Sequence, residues 1–309
     1  MSTLDENKPN RHRQTISFLT RRFREVGLQP ASRHGQNFLI DMNLQQLLVD
    51  AAGLTAEDVV LEVGTGTGGL TALIATQVSA VVTVEIDQHL YQLASEELLD
   101  FKNVTMLQQD VLRNKNNLTN EVLEAVRAHL HGDAKFKLVA NLPYNIATPL
   151  ISNLLAYEQP PQSITVTIQK EVAERILASP STKNYGHLSV WVQSQCTAEC
   201  LRLMPPSVFW PRPKVESAII QLTLDEERRN QIPDLAFFHR FTRAIFLHRR
   251  KFLRSVVASA MKNELDKSQV DHAIATAGLR ADQRAEQLSV ETILTLCEAV
   301  RNQLSGKKD

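Results

Sequence analysis

Asn141-Leu142-Pro143-Tyr144 follows directly on the strand pattern Lys137-Leu138-Val139-Ala140 and sets an amide, a rigid turn and an aromatic ring side by side. A carboxamide oxygen and a main-chain carbonyl, here those of Asn141 and Leu142, can accept the two hydrogens of an exocyclic amine and so aim its lone pair. Pro143 stiffens the turn and removes a competing donor. Tyr144 offers a face on which a base drawn out of its stack can rest. The set suits alkylation of a poor nucleophile such as adenine N6, whose lone pair is delocalised into the ring. Positioning and electrostatics then supply most of the acceleration. A neutral asparagine also suits a site that takes back a monomethylated amine and methylates it again. A turn around a buried tyrosine is the plain alternative, and a glycine loop upstream weighs against it.

That loop runs Leu61-Glu62-Val63-Gly64-Thr65-Gly66-Thr67-Gly68-Gly69-Leu70-Thr71. It follows an apolar strand pattern and opens a helical one, where glycines let the chain turn sharply and a ligand approach the backbone. Gly64, Gly66 and Gly69 satisfy GxGxxG, and Glu85 follows roughly twenty residues on, as a ribose-binding carboxylate would. Nicotinamide dinucleotides and S-adenosylmethionine both carry adenosine, so the loop alone names an adenosine-containing cofactor and no more. Two acids tilt the reading to S-adenosylmethionine. Glu62, inside an apolar strand, is costly unless it serves ordered partners; it can orient the loop or meet a cationic methionine group, and it would repel a pyrophosphate. Asp110, ending a later strand, can accept from the adenine amine of the cofactor; its alternative is a helix N-cap.

The elements that must position these residues form an alternating series. Apolar strand patterns at residues 59–63 and 81–86, and from Val104, Lys137 and Ser163, are separated by helical ones at 70–77, 88–99 and beyond. Such strands predict an α/β fold whose parallel sheet is covered on both faces. A helix from Lys170, a turn-rich loop and two strands near 198–203 and 217–224 come next; those two strands are expected to pair antiparallel at the sheet edge. After residue 225 only helical patterns remain, at 235–247, 252–261, 270–277 and 290–304. The expected division is a basic, partly disordered extension over 1–32, a methyltransferase domain over 33–224 and a small all-α domain over 225–309.

Composition is that of a globular chain, 43% hydrophobic and 22% charged with zero formal net charge. The charge is unevenly spread. Residues 11–33 carry six arginines against one acid, and residues 202–254 carry eleven Lys/Arg against five Asp/Glu, which suggests a local phosphate-binding face. No long apolar run and no signal-peptide core are present, and three cysteines are too few for a disulfide framework, so a cytoplasmic protein is expected. His129 and His131 could bind metal, but no third ligand is apparent, and no metal is expected.

Several ordered segments then resemble one family, the KsgA-type ribosomal RNA adenine dimethyltransferases, from about Arg33 to Arg301. They are Gly35-Gln36-Asn37-Phe38-Leu39, the Glu62 to Thr71 loop, Glu85-Ile86-Asp87, Asp110 and NLPYNIATPL from Asn141. QKEVAERI from Gln169, NYGHLSV from Asn184, FWPRPKVESA from Phe209, HRRKFLR from His248 and RAEQLSVE from Arg284 complete them. The resemblance implies a Rossmann-like class I methyltransferase sheet with S-adenosylmethionine contacts at Asn37, Leu39, Gly64, Glu85, Asp110 and Asn141. It implies as substrate two adjacent adenosines in a hairpin loop near the 3′ end of small-subunit rRNA, each methylated twice within a pre-ribosomal particle. It also implies that the helical domain grips RNA through Arg249, Arg250 and Lys251. A monomer is expected, since no apolar surface stripe stands out. The chain departs from the family at His34, at Thr65, where a proline is common, and in a long polar segment over 114–135. The related Erm type, which methylates large-subunit rRNA, is the nearest alternative; a non-catalytic assembly factor, a nicotinamide oxidoreductase and a DNA adenine methylase are more distant.

Overall fold

A computed structural model describes residues 16–27 and 36–305. The expected disorder of the first dozen residues, Gly35 and the departure at His34 lie outside them. In chain order the elements are α1 (Ile16–Glu25), β1 (Phe38–Leu39), α2 (Met42–Ala51), β2 (Val59–Val63), α3 (Gly69–Ala75), β3 (Ala80–Glu85), α4 (Gln88–Glu97) and β4 (Val104–Gln108). A small hairpin, β5 (Leu112–Asn114) and β6 (Asn117–Leu118), precedes α5 (Asn120–Arg127), β7 (Phe136–Asn141), α6 (Ala147–Ala156) and β8 (Ser163–Gln169). Then follow α7 (Lys170–Ile176), α8 (His187–Gln193), β9 (Cys196–Met204), β10 (Phe209–Trp210) and β11 (Ser217–Leu224). The chain ends in α9 (Glu226–Asn230), α10 (Leu235–Phe246), α11 (Leu253–Ala260), α12 (Lys267–Thr276) and α13 (Val290–Ser305).

Seven strands form one sheet in the order β4-β3-β2-β7-β8-β11-β9, with β4 to β8 parallel. All residues of β2 and β3 are buried, as strands covered on both faces require. Each fully buried Val, Leu or Ile there contributes about 1.5–3 kcal/mol of transfer free energy. The chain winds outward from β2 to β4, then returns to lay β7 on the other side of β2. That reversal opens a crevice at the carboxyl ends of β2 and β7, the place where an open α/β sheet takes its ligand. The glycine loop leaves β2 there and the Asn141 tetrad leaves β7.

Two compact units share the chain. The first holds residues up to 150 with 161–170 and 201–221; the second holds 151–160, 171–200 and 222 onward. This differs from the division at 225 expected from the loss of strand pattern. Residues 171–200 group with the C-terminal helices because α8 packs on α10. The Trp191 ring, fully buried, lies 6.3 Å from Phe238 and 4.5 Å from His239, and His187 lies 5.0 Å from His239. Residues 16–25, assigned to a partly disordered extension, form a helix packed within the first unit. Leu19 and Phe23 are buried against Leu90 and Leu93, and the Phe23 ring lies 5.1 Å from Phe38 and 5.5 Å from Trp210.

Candidate functional site

The crevice is a cavity lined by residues of every segment expected there: Asn37, Gly64, Glu85, Asp110, Asn141, Leu142 and Pro143. A smaller adjoining cavity shares Phe38, Gly64, Gly66 and Asn141 and is lined further by Leu39 and Glu62. Leu39 therefore faces the second cavity only, and Gln45 Nε2 donates to its carbonyl at 2.5 Å. Tyr144 lines neither cavity; it is half-buried, with its hydroxyl 2.6 Å from Ser217 Oγ.

The glycine loop is shaped by close approach. Gly64 sits at φ +88° and Gly66 at φ +58°, and a Cβ on them would come within 3.3 Å of Pro143 Cδ and of Phe38 Cε1 respectively. Larger residues would both strain the backbone and fill the cradle. Glu85, at the end of β3, accepts from Gly66 N and Asp87 N, each at 2.9 Å, and so holds the loop open from below. Burial raises its pKa while these main-chain donors oppose the rise.

Glu62 is buried and holds a chain of hydroxyls. Its Oε2 accepts from Thr71 Oγ1 at 2.5 Å and from Thr83 Oγ1 at 2.7 Å. Thr83 lies 2.6 Å from Thr65 Oγ1 and has a single proton, already given to Glu62, so Thr65 is the donor in that pair. The threonine at position 65 thus ties the loop to the sheet through its side chain. Glu62 Oε1 is buried without a partner, and burial pushes the Glu62 carboxyl up to about 8.

Asn141 Nδ2 donates to the Asn37 carbonyl at 2.8 Å. A carbonyl can only accept, so this bond sets the orientation of the amide and keeps Oδ1 as its acceptor. Leu142 N donates to Thr167 O at 3.3 Å, anchoring the turn to β8. Asp110 is exposed and accepts from Leu112 N at 2.9 Å. It precedes a strand, so the helix-cap alternative is overturned.

The lining also decides between cofactors. Glu85 and Asp110 are its carboxylates, Glu62 adds a buried carboxyl, and among the described residues neither cavity is lined by a lysine or arginine. A pyrophosphate would meet carboxylates with no compensating cation, whereas a sulfonium and an ammonium would be stabilised. The residues fit S-adenosylmethionine, with a carboxylate for the ribose and an unpartnered buried oxygen for a cation.

In the second unit the three basic residues do not act alike. Arg250 and Lys251 are exposed in the turn between α10 and α11. Arg249 is half-buried and turned inward: Nη1 donates to Lys183 O at 2.5 Å and Tyr185 O at 3.3 Å, and Nε lies 3.5 Å from Glu286. Sequence reasoning missed this, and it missed Ser217 and the threonine partners of Glu62, although it gave Glu62 itself ordered partners and a hold on the loop. Thr83 alone left a signal, as a polar residue in an apolar strand.

A parallel sheet with a glycine cradle and an acidic, cation-accepting crevice at its reversal point defines a class I methyltransferase whose methyl donor is S-adenosylmethionine. Residues 28–302 match the family described as ribosomal RNA adenine dimethylase, and the chain belongs to it. It is therefore an rRNA adenine dimethyltransferase. It is 38% identical to a Bacillus licheniformis protein named ribosomal RNA small subunit methyltransferase A, over 87% of this chain and 91% of that one. A protein of the same name from Caldanaerobacter subterraneus subsp. tengcongensis is also 38% identical, over 88% and 98%. Among solved structures, a dimethyladenosine transferase from Plasmodium falciparum shares the fold, with a TM-score of 0.71 and 22% identity over 85% of this chain and 97% of that one. The 23S rRNA methyltransferase ErmE does so at a TM-score of 0.58 and 23% identity, over 86% and 100%.

Proposed function

We propose that the protein dimethylates N6 of two adjacent adenosines in a hairpin loop near the 3′ end of small-subunit rRNA. It would do so as a cytoplasmic monomer acting on a pre-ribosomal particle. Relatives named for the small subunit match nearly the whole chain, which supports that subunit over the large one. The observation that carries the site assignment is the fixed Asn141 amide at the mouth of an acidic cavity.

Asn37, Leu39, Gly64, Glu85, Asp110 and Asn141 would hold S-adenosylmethionine, which supplies an electrophilic methyl group on sulfur. Asn141 Oδ1 and the Leu142 carbonyl accept the hydrogens of the target amine and turn its lone pair inward. Pro143 keeps the turn rigid, and Tyr144 supports the extruded base. The alkylated amine is acidic enough to lose its proton without a strong base, in keeping with a lining that has no histidine or lysine among the described residues. Arg250 and Lys251, with Arg249 bracing the turn behind them, would engage RNA phosphates. The test is incubation with labelled S-adenosylmethionine and, separately, unmethylated small-subunit particles, large-subunit RNA and duplex DNA, with the product mapped. Dimethyladenosine at neighbouring positions of the small-subunit RNA is expected. Label in the large-subunit RNA would move the protein to the Erm type, and no transfer with cofactor binding intact would make it an assembly factor.

A further inference from the structure

We propose that Ser217 is a positioning residue for methyl transfer, acting by tethering Tyr144; the inference rests on the role given above to the Tyr144 ring. Ser217 opens β11, seventy-three positions beyond Tyr144 in sequence, and is fully buried. Its hydroxyl lies 2.6 Å from the Tyr144 hydroxyl, and no other side chain among the described residues is recorded bonding to either. A buried serine with one such contact gains little as a packing element, since alanine would fill nearly the same space. What the contact does is fix a ring.

The tetrad is pinned at three points. Asn141 is bonded to Asn37 O at 2.8 Å, Leu142 N to Thr167 O at 3.3 Å, and Tyr144 to Ser217. The first two hold the acceptors for the amine; the third holds the aromatic face. Without it, the tyrosine keeps two free side-chain torsions, and ordering them falls on the moment when the base arrives. The anchor is itself firm. Glu216 O, one residue before Ser217, accepts from Lys170 N at 3.0 Å, and Lys170 Nζ meets Glu216 Oε2 at 2.6 Å. The residue after β8 and the residue before β11 are thereby locked together next to Ser217. Burial raises the pKa of Tyr144, so the phenol stays protonated and the tether stays a neutral hydrogen bond at physiological pH.

The test is a mutant cycle on the full chain, with kcat, KM for the RNA particle and Kd for S-adenosylmethionine measured for each variant. Tyr144→Phe keeps the ring and removes the tether from the half-exposed side, so it guards against misfolding of Ser217→Ala. Each should lower kcat about tenfold with the cofactor Kd unchanged. The double variant should be no worse than either single one, and Ser217→Ala should be silent in a Tyr144→Ala background. Losses that multiply in the Tyr144→Ala background would overturn the tether while leaving the stacking role of Tyr144 in place. A fully active Tyr144→Ala would overturn both. A faster Tyr144→Phe enzyme would also overturn the proposal, because it would mean that the bond holds the ring away from the base.

Discussion

The crevice of the first unit and the basic turn of the second organise charge in opposite ways. In the crevice the polar groups are buried or bonded: Glu62 holds two hydroxyls, Glu85 two main-chain N–H groups, and the Asn141 amide is oriented by Asn37. In the turn, Arg250 and Lys251 stand in solvent, and Arg249 alone is bonded inward. A bonded, buried site has met its ordering cost before the ligand arrives, which is what a displacement reaction needs. Exposed cations give affinity by releasing counterions, with little demand on geometry. On the proposed function, chemistry belongs to the first region and substrate capture to the second.

The largest break should come at the amide. Asn141→Ala should lower kcat by about 10²–10³-fold, the range for losing one preorganised electrostatic partner, with folding retained. Near-normal turnover would remove Asn141 from the reaction. Tyr144→Ala should follow, reducing kcat more than it weakens S-adenosylmethionine binding; equal losses in steady-state and equilibrium measurements would make the ring part of the cofactor pocket. Glu85→Ala should weaken cofactor binding by about 1.5–3 kcal/mol, the worth of a hydrogen bond to a charged group. Isothermal titration checks it, and unchanged affinity would point to another ribose partner.

Smaller effects sharpen the other side. Arg250→Glu with Lys251→Glu should raise the Kd for RNA and flatten its dependence on salt while leaving the saturated rate intact. Arg249→Ala should instead lower thermal stability, since Arg249 closes the loop at Lys183 and Tyr185. A separate effect lies in the pH profile of the cofactor-free protein. Glu62 has a folded pKa of about 8 against an ordinary 4.5, so the folded state holds the extra proton between those values. The stability that this provides is complete below about pH 4.5 and is lost as pH rises through 8. Glu62→Gln should flatten the fall of Tm with rising pH across that window, and an unchanged slope would show that Glu62 is ionised in the folded protein.

The sheet was legible because strands buried on both faces are written as near-continuous apolar runs, so β2 and β8 fall where their patterns lie and β3 and β7 within one residue. α8 was not, because His187-Leu188-Ser189-Val190-Trp191-Val192-Gln193 has no helical bias of its own; it is helical through burial of Val190 and Trp191. β1 and β10 are two-residue strands made by a distant pairing, Phe38 with Trp210, which leaves no local pattern. The long polar segment over 114–135 holds α5, and the Asn-rich stretch at its start is part of the β5–β6 hairpin. The same divide runs through the site. Gly64, Glu85, Asp110 and Asn141 were readable because each ends a strand or turns a loop. Ser217 and the inward turn of Arg249 were not, because their partners lie far off in sequence.

The division of labour is tested most directly by the salt dependence of single-turnover methylation at saturating RNA and cofactor, measured beside that of RNA binding. The expected result is a Kd for RNA that rises steeply with salt beside a saturated rate that stays flat. A saturated rate that falls in parallel with binding would place the basic turn in the chemical step and contradict the separation.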